Sequence, residues 1–368
     1  MEIIVPKDRL AKALNIVSRI TVSLKSAFPM LNNVLLRAED GKLSMTATDM
    51  EMATVCNIGA KVVKKGVITA PAKLLAEMVA NLSKDEEVKI VVKDGKLTVS
   101  AGKDRAVING AAADDYPELP VIDEEKAVKL QIGVDGLKRA LGSVMIASSN
   151  DTTRPALTGV YFNTFEGSLY LAATDGYRLA EMKFVDKVES EVFAIVPTSS
   201  LSEVLRSMND EIEEVEILID EAQVRFRMGE MEFMSKLIGG SFPDYRQLIP
   251  KKTDTNMVLE RAECVRVTKL AAVFAREMGG SIVCEADKEK GVLIIGSVAS
   301  EFGENNSEIV TKIDNGGKVT LNSRFLLDAL NVVEEERIRF GFSGKLSPVV
   351  IKNEKNENYI QIIMPLKS

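Results

Sequence analysis

Histidine does not occur anywhere in this chain. Its absence removes the commonest general base and the commonest protein ligand for metals, so catalysis or metal binding would have to rest on other groups. Cysteine is nearly as scarce: Cys56, Cys264 and Cys284 form neither a C-x-x-C pair nor an even framework, which points to a reducing compartment. No apolar run approaches the ~18 residues of a membrane span. The opening Met1-Glu2-Ile3-Ile4-Val5-Pro6 lacks the basic region and apolar stretch of a secretion signal. A soluble, cytoplasmic protein with no membrane contact is expected. The phosphate-cradling pattern G-x-x-x-x-G-K-[ST] is missing as well, because Gly316-Gly317-Lys318 runs into Val319 and reads as a turn before a strand. Neither a G-x-S-x-G elbow nor a cysteine cluster is found. These absences leave no candidate active site and imply neither metal nor cofactor.

What the chain does have is repetition. Ala70-Pro71-Ala72-Lys73-Leu74-Leu75 returns as Val196-Pro197-Thr198-Ser199-Ser200-Leu201 and again, degraded, as Leu321-Asn322-Ser323-Arg324-Phe325-Leu326. The first step is 126 residues and the second 125. Ala47-Thr48-Asp49 recurs as Ala173-Thr174-Asp175, and Asp115-Tyr116-Pro117 as Ser241-Phe242-Pro243, at the same first step. A repeat this long is domain-sized, so three tandem copies of one domain are expected, over residues 1–123, 124–250 and 251–368. The 46% hydrophobic content is enough for separate cores.

Each copy has its own internal order. In the first, Glu2 to Val5 reads as a strand and Pro6 as a first-turn residue of a helix reaching about Ile20. Strands follow over Asn33 to Arg37, Lys42 to Ala47 and Ala53 to Val62, with Glu39-Asp40-Gly41 as a hairpin turn. The order then repeats: a strand from Val67 to Ala70, a helix from Pro71 to Leu82, and strands over Glu87 to Val92, Lys96 to Ala101 and Arg105 to Gly110. One domain is therefore β-α-β-β-β written twice. Hairpin-linked strands favour antiparallel sheets with helices on one face, an α+β architecture.

The helix that opens each copy carries an apolar stripe: Leu10, Ala13, Leu14 and Val17; Leu137, Ala140, Leu141 and Val144; Val267, Leu270, Ala271 and Phe274. Opposite these stripes stand Lys12 and Arg19, then Arg139, then Lys269 and Arg276. A recurring cation fits a DNA-facing surface, and it equally fits an ordinary solvated helix face. The net charge of −7 argues against nucleic-acid binding as an average and leaves the distribution open. Asp49 and Asp175, at equivalent positions, read as strand-end carboxylates that accept backbone N–H bonds in a turn. An enzyme reading would need metal-dependent hydrolysis that depends on one of those two aspartates.

Ala173-Thr174-Asp175-Gly176-Tyr177-Arg178-Leu179-Ala180, Ser241-Phe242-Pro243-Asp244-Tyr245 and the closing Ile362-Ile363-Met364-Pro365-Leu366, set in the threefold repeat, resemble the bacterial DNA polymerase III beta subunit family, the replicative sliding clamps. The resemblance covers essentially the whole chain. It implies a non-catalytic processivity factor: two three-domain chains joined head to tail as a homodimeric ring around duplex DNA, helices lining the hole and sheets outside. Implied partners are double-stranded DNA, the DNA polymerase III alpha subunit, the clamp loader, and other polymerases and repair proteins that carry clamp-binding peptides. Acidic outer sheets with cationic inner helices would reconcile the net charge with encircled DNA.

Lys25 matches a basic DNA-contacting loop of the family. It joins Lys12, Arg139, Lys269 and Arg276 as the expected DNA-binding set. The family's peptide pocket, carried over position by position, would use Leu157, Thr174, Gly176, Tyr177, Arg178 and Leu179 of the middle copy, with Pro243, Gln247 and Leu248 beyond them. Asn322, Phe325 and Ser347 of the third copy would join, with Ile362, Ile363, Met364, Pro365 and Leu366 of the tail. Tyr177 stands where many members have histidine or another residue, and Gln247 where a basic residue is often found. The resemblance leaves one alternative open: a clamp-like paralogue or ring scaffold that binds peptides outside the main replisome.

Overall fold

The computed structural model describes residues 1–21, 28–83, 87–119, 121–299 and 303–367. Lys25 lies outside them. Among the described residues all strand pairings are antiparallel, and the named strands form four sheets. By contacts the chain forms two compact units, Met1–Val134 with Ser200–Leu237, and Asp135–Ser199 with Ile238–Ser368.

The first unit holds a five-stranded sheet, in the order Lys61–Lys64, Glu2–Pro6, Glu87–Lys93, Lys96–Ala101 and Asp104–Asn109. Its eight-stranded sheet runs Val128–Gly133, Glu214–Ile219, Gln223–Met228, Met231–Lys236, Met52–Gly59, Lys42–Thr48, Asn33–Glu39 and Gly66–Pro71. Helices α1 (Lys7–Thr21) and α2 (Ala72–Ala80) pack on each other. The core between them and the strands includes Leu10, Leu14, Val17, Leu75 and Val79, all under 1% exposed, so the predicted α1 stripe is the buried face. Truncating such a leucine to alanine costs about 2–5 kcal/mol, which is why this stripe fixes the helix's rotation.

The second unit holds an eight-stranded sheet ordered Phe193–Pro197, Gly159–Phe165, Ser168–Thr174, Arg178–Val185, Tyr359–Ile363, Val349–Asn353, Arg337–Phe342 and Thr255–Glu260. Its four-stranded sheet is Gly303–Val310, Val292–Ala299, Ser281–Asp287 and Gly317–Asn322. Helix α3 (Val134–Val144) buries Leu137, Ala140, Leu141 and Val144 as predicted. Helix α4 (Thr198–Ser207) runs into the first unit, and α5 (Arg261–Ala275) packs on α6 (Ser323–Val332) in the second.

Both eight-stranded sheets are made by the same joint. The last strand of the middle copy, Met231–Lys236, pairs with Met52–Gly59 of the first copy. The last strand of the third copy, Tyr359–Ile363, pairs with Arg178–Val185 of the middle one. Consecutive copies are thus fused edge to edge by backbone hydrogen bonds, and the middle copy is shared between the two units.

Four local expectations change. The run from Ala53 to Val62 is two strands rather than one, because after Gly59 the chain leaves for the other sheet, where Lys61–Lys64 pairs with Glu2–Pro6. Pro6 closes that first strand, opposite Glu87, and the helix starts at Lys7. On α5 the buried face is Cys264, Val267, Thr268, Ala271 and Ala275, while Leu270 is 39% exposed; with apolar residues on several sides, periodicity alone sets the rotation poorly. Arg19 is not a free outward cation, since its Nε donates to Glu203 Oε2 at 2.8 Å and its Nη2 to Ser207 Oγ at 2.8 Å. The two-residue hairpin turn stands as expected: Asp40 and Gly41 both have positive φ, 48° and 76°, which a right-twisted hairpin requires.

Cys56, Cys264 and Cys284 are free and buried, and burial pushes the first two thiols up to about 12, so they stay protonated and inert. Among the described residues no helix is long and apolar enough to cross a membrane, and no cluster of metal-ligating side chains occurs.

Candidate functional site

The turn after Thr174 is built by its own side chains. Thr174 Oγ1 donates to Arg178 O at 2.6 Å and accepts from Gly176 N at 3.1 Å. Asp175 Oδ1 accepts from Tyr177 N at 2.8 Å and Arg178 N at 2.9 Å, the turn-closing role expected for it. The first copy makes the same turn, with Asp49 Oδ1 accepting from Glu51 N and Met52 N, at 3.0 and 2.7 Å. Position for position, Gly176 takes the left-handed conformation at φ 90° that Met50 must adopt at 74°. The scaffold repeats and the side chains on it do not.

Those side chains are Tyr177, 62% exposed, and Arg178, which is buried. Arg178 Nε donates to Asp175 Oδ2 at 3.0 Å and Nη1 to Asp328 Oδ2 on α6 at 2.6 Å, with the Phe325 ring 4.6 Å from the guanidinium carbon. Two carboxylates and a ring face hold the cation, and removing one member of such a buried group costs about 3–5 kcal/mol. Asp328 was not among the expected site residues. It lies 150 positions from Arg178, and only its place on the exposed side of the α6 pattern could have flagged it.

The tail closes against this turn. Arg178 stands opposite Ile363 and Leu179 opposite Ile362; Met364 N then donates to Tyr177 O at 2.8 Å, and Leu366 N to Thr320 O at 2.8 Å. Ile362, Ile363, Leu179 and Leu157 are buried, as is Thr174, while Met364, Pro365 and Leu366 are half-buried. The structure therefore brings the tail, the Tyr177 turn and Phe325 together, with the isoleucines as floor rather than surface. Asn322 caps α6 by accepting from Arg324 N at 2.9 Å, and its Nδ2 donates to Gly279 O at 3.3 Å. Ser347 is half-buried two residues before the strand that pairs with the tail strand, beside the exposed Leu346.

Pro243, Gln247 and Leu248 are exposed on a segment fixed from below. Phe242 stacks on Tyr161 at 4.8 Å, and Tyr245 packs among Ala172, Leu179, Val350, Ile360 and Ile362. Tyr245 Oη donates to Glu181 Oε2. Arg246 Nη2 lies 2.9 Å from the same oxygen, off the hydrogen-bond line, so that attraction is Coulombic. The Arg246 guanidinium also lies 3.9 Å from the Phe165 ring centre and 4.4 Å from that of Tyr170. Burial raises the Glu181 carboxyl above its ordinary range, against the opposing pull of the Tyr245 hydroxyl and Arg246.

The expected DNA-binding cations are surface residues. Lys12 on α1 and Arg139 on α3 are exposed, and each faces one carboxylate: Lys12 Nζ is 3.9 Å from Glu211, and Arg139 Nε 3.3 Å from Glu334. Lys269 on α5 is exposed without an ion pair among the described residues. Arg276 is exposed too, but sits in the single turn Arg276–Met278 that follows α5.

Three duplicated β-α-β-β-β domains fused edge to edge through continuous antiparallel sheets define a clamp-type fold. Profiles of the DNA polymerase III beta subunit match the chain in sequence: the N-terminal domain over residues 1–120, the central domain over 131–244 and the C-terminal domain over 246–367. The chain is 31% identical to the beta sliding clamp of Bacillus subtilis, covering all of both chains, and 29% identical to that of Synechococcus elongatus, covering all of this chain and 99% of the other. The crystal structure of the Bacillus subtilis clamp superposes with a TM-score of 0.94 at 30% identity, over 100% of this chain and 99% of that one. A Pseudomonas aeruginosa clamp bound to griselimycin gives 0.94 at 27%, with both chains fully covered. The chain belongs to the DNA polymerase III beta subunit family, the beta sliding clamps of DNA replication, which are processivity subunits and not catalytic enzymes.

Proposed function

We infer that this chain closes with a second copy, head to tail, into a ring that encircles duplex DNA and tethers the replicative polymerase. The carrying observation is the joint rule of the fold. Inside the chain, the last strand of one copy pairs with the third sheet strand after the opening helix of the copy before it. Two strands of those same kinds are sheet edges: Asp104–Asn109, the last of the first copy, and Gly303–Val310 of the third. Pairing them between chains repeats the internal joint, and a heterologous contact of this kind that closes makes a ring. The edges also differ in charge: Arg105 and Asp104 stand on one, with Lys103 in the turn before it, and Glu304 and Glu308 on the other.

In this reading the chain works in the cytoplasm as a homodimer. Lys12, Lys25, Arg139, Lys269 and Arg276 meet phosphates without reading sequence, and topology supplies the retention. The apolar site between the Tyr177 turn, Phe325 and the Met364 tail receives linear peptides from the polymerase alpha subunit, the clamp loader and repair proteins. An adaptable methionine and a half-buried tail suit one pocket that serves several partners. The domain limits 1–123, 124–250 and 251–368 mark the three copies.

The helix cations give a direct test. Lys12→Glu with Arg139→Glu should shorten retention on closed circular DNA, and the slope of log affinity against log salt should fall by about 0.9 for each phosphate contact removed. Glu211 and Glu334 now compete with phosphate for these two cations, so replacing both by glutamine should lengthen retention. An unchanged slope in the first variant would mean that those helix faces do not meet DNA.

A further inference from the structure

We propose that a basic groove on the third copy, apart from the tail site, docks an extended acidic peptide segment of a partner protein. The groove encloses about 640 Å³, within the size range of built ligand sites. Its floor is the face of the edge strand Thr255–Glu260, of Arg337–Phe342 beside it and of Val349–Asn353 beyond, and its lining continues onto the segments Pro250–Thr253 and Val310–Asp314 as walls. Six cations line it: Lys251, Lys252, Lys312, Arg337, Arg339 and Lys352. Against them stand three carboxylates, Glu260, Asp314 and Glu354, in a chain whose net charge is −7. Glu260 and Glu354 both bind Arg337, at 3.1 and 3.3 Å. Arg339 finds only Glu357, outside the groove, at 3.1 Å. The four lysines have no carboxylate within ion-pair distance among the described residues.

The middle copy does not carry this imbalance. In the middle copy the first strand after the second helix places Glu216 opposite Arg227, and the two bond at 3.0 Å. Lys129 adds a second cation to Glu216, and Glu232 a second carboxylate to Arg227. At the matching position of the third copy, Arg339 stands opposite Lys352. Like charges directly opposite each other on a sheet are destabilising, so this cross-strand pair opposes folding where the middle copy's pair supports it. An anion lying across the strands would reverse that balance.

The lining favours a peptide over a nucleic-acid strand. Val258, half-buried on the floor, and Val310, 86% exposed on the wall, give the groove an apolar strip, while Val350 and Phe340, the one aromatic lining residue among the described residues, are buried beneath it. Single strands are usually held by stacking on exposed rings, which the groove lacks. Its three carboxylates would repel a continuous run of phosphates, whereas a peptide can place its own carboxylates between them, alternating with aliphatic side chains on the strip.

The full-length dimer, panned against a displayed library of short random peptides, tests this beside two variants: Arg339→Glu with Lys352→Glu on the sheet, and Lys312→Glu in the wall. Peptides that alternate acidic and aliphatic residues should be enriched on the unaltered protein, with recovery falling about tenfold or more on both variants. A labelled short oligothymidylate should bind all three proteins alike. Absence of that enrichment, or equal enrichment on the variants, overturns the proposal. Oligothymidylate binding that both variants lose would overturn it in favour of a nucleic-acid surface.

Discussion

Val107→Asp should convert the proposed dimer into monomers while leaving each chain folded. The last hairpin of the middle copy pairs Met228 with Met231, and that of the first copy pairs Ala101 with Asp104; counted from those ends, Val107 corresponds to Met234. Met234 lies opposite Ala53 across an internal joint and is 7% exposed. Val107 is 55% exposed on a strand edge, so an aspartate there is solvated in the single chain. Pairing with Gly303–Val310 of a second copy would desolvate that carboxylate, at a cost of about 3 kcal/mol, or roughly a hundredfold per joint. A closed ring has two such joints, so the penalty is felt twice. Sedimentation should show monomers at concentrations where the unaltered chain is dimeric, with an unchanged circular dichroism spectrum. A dimer of undiminished stability would mean that this edge is not the joint.

The second large effect is expected at the tail. Met364 is half-buried, and its amide donates to Tyr177 O, which ties the tail to the turn that carries Arg178. Met364→Ala should weaken binding of a labelled peptide from the cognate polymerase alpha subunit by at least roughly thirtyfold, as expected for an anchor of about 2 kcal/mol. The dimer should survive, because the neighbouring Ile362 and Ile363 hold the strand. A monomeric or unfolded product would show that Met364 is core and not lining.

The parts of this fold that were legible in the sequence are local. Asp49 and Asp175 close equivalent turns as their repeat position suggested, and the stripes on α1 and α3 are the buried faces. Helix α5 was misread because Leu270 and Val273, 39% and 56% exposed, extend its apolar residues around the cylinder. The break at Gly59 was hidden inside a continuous apolar run, since nothing local distinguishes one long strand from two that serve different sheets. The joints between copies are not local at all: Met231–Lys236 meets Met52–Gly59 through backbone groups that every residue carries. For the same reason the clasp of Arg178 by Asp175 and Asp328 could be half seen, with the near carboxylate in the same turn and the far one on another copy. The phrases that do not repeat, Tyr177-Arg178 and the Met364 tail, come together on a scaffold that does.

Retention on DNA of defined topology tests the central claim most directly. The chain, loaded by its cognate clamp loader onto nicked circular duplex DNA, should remain bound through gel filtration and should be lost when the circle is cut once. Release at the same rate from circular and linear DNA would contradict encirclement and leave only a surface-bound protein.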